Sequence, residues 1–161
     1  MNFNNFTKMK KLQFKVKIDT PVDKVYNLML GIINKSTYEQ WTAMFNPTST
    51  YEGNWEKGSK MLFIGFNNKG EKGGMVSEIV DNILNEYVSI RHYGLVKSNE
   101  EITSGPEVEK WATGFENYTF QENNGETELT VELENLSEDF VDYMNNAWPN
   151  ALSKLKEICE R

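Results

Sequence analysis

SEDFVDYMNNAWPNALSKLKEICER, residues 137–161, decides how this chain folds. Stepping about 100° per residue puts Phe140, Val141, Met144, Ala147, Trp148, Ala151, Leu152, Leu155, Ile158 and Cys159 on one stripe, with nearly every charge outside it. That is the pattern of one long amphipathic helix. Ser137 is its predicted N-cap, Glu138 and Asp139 belong to the first turn, and Lys154, Lys156 and Arg161 lie towards the end, as the helix dipole favours. Pro149 falls on the side away from the stripe and predicts a kink in a continuous helix. The alternative starts a separate helix at Pro149 as its first residue. A stripe this wide needs a concave sheet to cover.

The residues upstream supply that sheet. Thr127, Leu129, Val131 and Leu133 alternate with Glu126, Glu128, Thr130, Glu132 and Glu134, so one face meets the core and the glutamate row is a solvated outer face. Asn124-Gly125 joins this strand to one over residues 111–120. Residues 87–93, 75–80 and 60–66 read as further strands of an antiparallel meander, separated by Gly- and Asn-rich turns. Between residues 97 and 110 lies an irregular acidic stretch, long enough to be a lid or a solvated excursion.

At the other end Leu12, Phe14, Val16 and Ile18 alternate with Gln13, Lys15 and Lys17, a half-buried strand. Thr20-Pro21-Val22-Asp23 predicts a helix start, with Thr20 as cap and Val22, Val25, Tyr26 and Met29 at helical spacing. A second short helix over residues 37–44, around Tyr38 and Trp41, ends at Asn46-Pro47. The predicted class is α+β: a curved antiparallel sheet of about six or seven strands gripping a long C-terminal helix, with two short helices between the first two strands.

Composition narrows the functions. A chain of 161 residues fits one domain, residues 1–161, with its core over residues 10–160. A net charge of −7 disfavours nucleic acid and anionic membranes as partners, and the basic residues cluster only at Lys8, Lys10 and Lys11. Cys159 is the single cysteine, residues 1–12 lack the apolar core of a secretory signal, and no apolar run approaches the roughly 20 residues of a membrane span. The cytoplasm is the expected compartment. No cofactor or metal is expected: one histidine cannot build a multi-histidine site, G-x-S-x-G is missing, and Gly70 and Gly73-Gly74 lack the lysine and helix of a phosphate loop. Cys159 is expected beside a frayed terminus and away from any base.

The order of elements resembles the START-like, or SRPBCC, superfamily with its helix-grip fold. Within it the chain resembles the family named for activators of the heat-shock-protein ATPase, on Thr20-Pro21 followed by Val25 and Trp41, the segment 70–78, Thr127-x-Leu129, and Trp148 with Leu152 and Leu155. Ala147 and Pro149 around Trp148 vary on the family's glycine-tryptophan pair. The resemblance implies an apolar cavity between sheet and helix that in relatives takes up lipids, sterols, polyketides or other hydrophobic molecules. Candidate lining residues are Tyr26, Trp41, Phe63, Ile90, His92, Glu116, Tyr118, Phe120, Met144, Ala147, Trp148 and Ala151, the alanines leaving room on the helix. The opposite expectation is that the aromatic side chains fill the space as a solid core.

Two polar residues have a register-dependent place. If Asn124-Gly125 is a two-residue turn, Phe120 lies opposite Leu129, Tyr118 opposite Val131 and Glu116 opposite Leu133, so Glu116 faces the core. A three-residue loop with a bulge at Gly125 instead turns Phe115, Asn117 and Thr119 inward. Val88, Ile90 and His92 share a face, so the first register brings His92 towards Glu116, as an acid and base or as a satisfied structural pair. Three functions follow: non-catalytic binding of a small hydrophobic molecule, action on a chaperone or other protein through the surface, or a cyclase- or dehydratase-type enzyme using His92 and Glu116. The second is weakened because the resemblance implies a separate amino-terminal domain for chaperone contact, for which this chain has no room.

Overall fold

The computed structural model describes residues 9–112 and 114–161. Strand β1 (Met9–Ile18) is followed by helices α1 (Val22–Leu30) and α2 (Lys35–Thr42) and by strands β2 (Thr50–Gly53), β3 (Lys60–Phe66), β4 (Lys72–Ile83) and β5 (Tyr87–Lys97). Then come β6 (Glu100–Ile102), helix α3 (Pro106–Trp111), β7 (Gly114–Asn123), β8 (Glu126–Ser137), a 3-10 turn over Glu138–Phe140, and helix α4 (Val141–Cys159). The strands form one antiparallel sheet in the order β1-β8-β7-β5-β4-β3-β2, with β6 on the end of β5 that β7 leaves free. This is the α+β architecture expected from the patterning, with one strand more.

Helix α4 runs unbroken through the exposed Pro149, so the helix does not begin there. Trp148, Ala151, Leu152, Leu155, Ile158 and Cys159 are all buried in the main core with Ile18, Val25, Met29, Leu129 and Val131. Outside the stripe Asp142, Asn145, Asn146, Asn150 and Ser153 are exposed. On the outer face of the sheet Lys11 pairs with Glu132 at 3.0 Å and Glu134 at 3.4 Å, and Lys15 with Glu128 at 3.8 Å. The glutamate row is thus a partly exposed ionic ladder, and among the described residues no cluster of His, Cys, Asp or Glu is arranged to hold a metal. Lys8, of the basic cluster, lies outside the described residues.

Local signals failed where a partner strand or helix offered a better bond. Ser137 makes no side-chain cap; β8 instead continues to it because Met9 and Lys10 pair with Ser137 and Leu136 beyond a bulge. Thr20 does not cap α1 either. Its hydroxyl donates to the Cys159 carbonyl at 3.0 Å, tying the first strand to the end of α4, while Glu122 from β7 accepts the Val22 N–H at 2.8 Å. The acidic stretch is ordered: Ser98 and Asn99 both take positive φ, turning the chain into β6, and Gly105-Pro106 starts α3. Residue 111 therefore closes a helix and does not open a strand. Lys60–Glu101 at 2.6 Å and Lys97–Glu107 at 2.7 Å link this excursion to the sheet.

Cys159 is fully buried, so the expectation of a frayed end is corrected. The Thr20 bond and the core around Ile158 hold the last turn. Burial, with a smaller push from Glu160 against the pull of Lys24, raises the thiol to about 12 from an ordinary 9.0. The native state then keeps a proton that the unfolded chain loses, so stability falls as pH rises between those two values. Denaturation midpoints measured across that range should fall less steeply in Cys159→Ala, and native thiol should resist aromatic disulfide reagents until the protein unfolds.

Candidate functional site

Between the first half of α4 and the β3-β4-β5-β7-β8 face lies a cavity of about 430 Å³. Its walls are Tyr38, Trp41 and Phe45 from α2 and the turn after it, Phe63 and Met75 from β3 and β4, Tyr118 from β7, Leu133 and Leu136 from β8, and Met144 and Trp148 from α4. The exposed Asn46 and Lys110 stand at its mouth, and Trp41 and Tyr118 at its floor are 1% and 2% exposed. Trp148 is the keystone: its ring lies 5.0 Å from Phe45, 5.8 Å from Trp41 and 6.3 Å from Tyr118.

The room comes from the sheet. Gly65 and Gly73 are partners across β3 and β4 and both line the cavity; a Cβ on Gly65 would meet the Asn46 side chain at 2.7 Å, whereas one on Gly73 would meet only the Val96 carbonyl at 3.7 Å, so the open space lies over Gly73. Ala147 and Ala151, expected to leave the room, are not among the residues that line it. Both are buried, Ala147 directly before Trp148 and Ala151 one turn further along α4 in the main core. Tyr26, Ile90 and Phe120 likewise pack in the solid core and do not line the cavity. Tyr26 stacks edge-on to Phe120 at 5.5 Å and donates its hydroxyl to Asn82 at 2.6 Å. Of the twelve sequence candidates, Trp41, Phe63, His92, Glu116, Tyr118, Met144 and Trp148 come together around the space.

A chain of polar groups crosses the inner face. Asn123 pairs with Glu126 across the two-residue turn, where Asn124 and Gly125 both have positive φ, and this sets Glu116 opposite Leu133. Glu116 thereby points into the cavity. On β5 a bulge at Tyr93 separates the inward Val88, Ile90 and His92 from Val96, which packs with Ile64 and Val76 in a second cluster. The result is a Ser77–His92–Glu116–Tyr118 series: Ser77 Oγ lies 2.6 Å from His92 Nδ1, His92 Nε2 lies 3.2 Å from Glu116 Oε1, and the Tyr118 hydroxyl donates to Glu116 Oε2.

Hydrogen positions follow from the chemistry of a carboxylate, which only accepts. Nε2 carries a hydrogen towards Glu116, which leaves Nδ1 to accept from the Ser77 hydroxyl in the neutral ring or to donate to it in the imidazolium. Burial first, and the Glu116 charge second, hold the Tyr118 phenol well above its ordinary value; Tyr38 is raised by the same two causes in the same order. Both phenols stay protonated. Such a series can orient a ligand or pass a proton between Glu116 and His92. Sequence patterning found the histidine and the glutamate; it missed Ser77, whose inward alternation with Met75 and Ile79 was the available signal.

Fold and cavity together define a START-like, helix-grip protein. The family described as "Activator of Hsp90 ATPase homolog 1-like protein" matches residues 19–160, and the chain belongs to that family. Among solved structures, the Aha1 dimer from Colwellia psychrerythraea is similar at 19% identity, covering 94% of this chain and 97% of that one with a TM-score of 0.66. Protein Ms6760 from Mycobacterium smegmatis is similar at 15% identity over 94% and 96% of the two chains, TM-score 0.67. A protein from Arthrobacter aurescens is similar at 13% identity over 92% and 85%, TM-score 0.67. At these identities the likeness is one of fold. No curated protein matches the chain. Among the described residues, no helix is long and apolar enough to cross a membrane.

Proposed function

We propose that this protein binds a small, largely apolar molecule in the cavity beneath α4, without transforming it. The observation that carries the reading is the cavity of about 430 Å³ walled by aromatic side chains, with a few polar groups converging on one face. Its size falls within the roughly 300–1,000 Å³ of small-molecule sites. Both nitrogens of His92 are engaged by protein partners, which fits a fixed structural ring better than a catalytic base.

A blocking variant tests this. Gly73 has an ordinary φ, and a Cβ built there meets only the Val96 carbonyl at 3.7 Å, whereas a Cβ on Gly74 would sit 2.0 Å from the Phe63 carbonyl. Gly73 shares a strand face with Met75, so Gly73→Phe should fill the cavity and leave the fold intact. Methylnaphthalene should raise the melting temperature of the wild type by mass action and leave Gly73→Phe unmoved. Equal shifts in the two proteins would place the probe elsewhere and sink the reading.

Action on a chaperone or another protein is a second reading, suggested by the family's name and favoured by exposed Ile32, Ile33, Ile83 and Leu84. Native mass spectrometry of protein from its own host separates the two. A retained small molecule supports the cavity, and a clean apo mass beside a co-purifying protein supports the surface.

A further inference from the structure

The cavity's polar face is unusual in what it has left to offer. Neither His92 nitrogen is spare: Nδ1 faces Ser77 and Nε2 faces Glu116, while the ring edge meets Phe63 at 6.1 Å. The Tyr118 hydrogen is spent on Glu116 as well. What remains open are lone pairs, a second one on each carboxylate oxygen and those on the Tyr118 oxygen. Glu116 is still 22% exposed, and it lines the cavity. A neutral imidazole leaves its carboxylate without a balancing charge. Among the described residues the lysine that lines the cavity is Lys110, exposed at the mouth, and the Glu134 carboxylate is turned outward to Lys11.

We propose that the molecule bound here carries a hydrogen-bond-donating head, an amine, alcohol or phenol, seated on Glu116, with its apolar body against Trp41, Phe63, Met144 and Trp148. The proposal rests on the cavity-binding reading and adds the chemistry of the ligand. An acceptor-only head finds no spare hydrogen on His92 or Tyr118, and the Tyr38 phenol that also lines the cavity is bonded to Ser49, so such a head strips water from Glu116 without replacing it, which is the costlier way to bury a carboxylate. An anionic head adds like-charge repulsion. A protonated amine gains a charge-assisted bond, and a phenol a neutral donor's bond to a charged acceptor.

Calorimetric titration of the intact protein with naphthalenes that differ only in the head group decides it. The naphthylmethylamine should bind about tenfold or more tighter than methylnaphthalene, the naphthol tighter than methoxynaphthalene, and the naphthoate weakest of all. The net charge of −7 draws any cation weakly, so the uncharged naphthol pair is the control for bulk attraction. Glu116→Gln should bring the ratio of amine to methylnaphthalene affinity close to one, whatever the variant does to both affinities together. If that variant does not fold, the wild-type series still stands. A naphthoate that binds tightest, through Lys110 at the mouth, overturns the proposal, and so does equal affinity across heads. In either case methylnaphthalene binding keeps the cavity reading, whereas no binding by any probe removes both.

Discussion

Trp148→Ala is expected to lose about 3–5 kcal/mol of folding stability, the range for a large aromatic removed from a core. The indole is 3% exposed and is ringed by Phe14, Trp41, Phe45 and Tyr118, so truncation strips four aromatic contacts at once. The site cannot collapse to recover them. One side of the indole already borders the cavity, and the sheet face beneath is held by strand pairing, so the void joins the space beside it. Urea titration should move the midpoint with little change in slope, which would locate the loss in the native state. A loss below about 1 kcal/mol would contradict the packing described for Trp148.

Ending the chain after Ser137 is expected to abolish cooperative folding. The removed segment contributes Trp148, Leu152, Leu155 and Ile158 to the core, each buried by 96% or more. Burying such side chains is worth roughly 1.5–3 kcal/mol apiece, and the surfaces they cover on β1, α1 and α2 lose a comparable amount. The sum, roughly 12–24 kcal/mol, matches or exceeds the total stability of about 5–15 kcal/mol that a domain has to lose. The remaining sheet would also present Ile18, Leu129 and Val131 to water. A sharp thermal transition with dispersed amide resonances in the truncated chain would mean that α4 is an accessory and that the sheet has another core.

The helix stripe, the alternation of β1 and β8 and the two-residue turn at Asn124-Gly125 were legible because each is a local rule with a fixed period or a demanding φ. Together they were enough to place His92 and Glu116 on one face and to order the elements. Signals of the same kind were present but unread in the acidic stretch, where Pro106 after Gly105, followed by Glu107 and Glu109, marks a helix start. The cap signals at Thr20 and Ser137 were read and proved misleading. A side-chain hydroxyl goes to whichever partner the assembled fold offers, and for Thr20 that was a carbonyl 139 residues away.

The sequence by itself determined the architecture, because burying one stripe of α4 and one face of each strand admits few arrangements. It also determined which side chains could be inside. Only the tertiary structure decided where the inside is empty. Alanines on the helix and glycines on the strands look alike in composition, yet Ala147 and Ala151 are buried away from the cavity while Gly73 faces it with open space above. The sharing of hydrogens among Ser77, His92, Glu116 and Tyr118 was decided there too, because it depends on a bulge at Tyr93 and on distances between strands far apart in the chain. Volume and hydrogen-bond satisfaction are properties of many residues at once, and no window of sequence contains them.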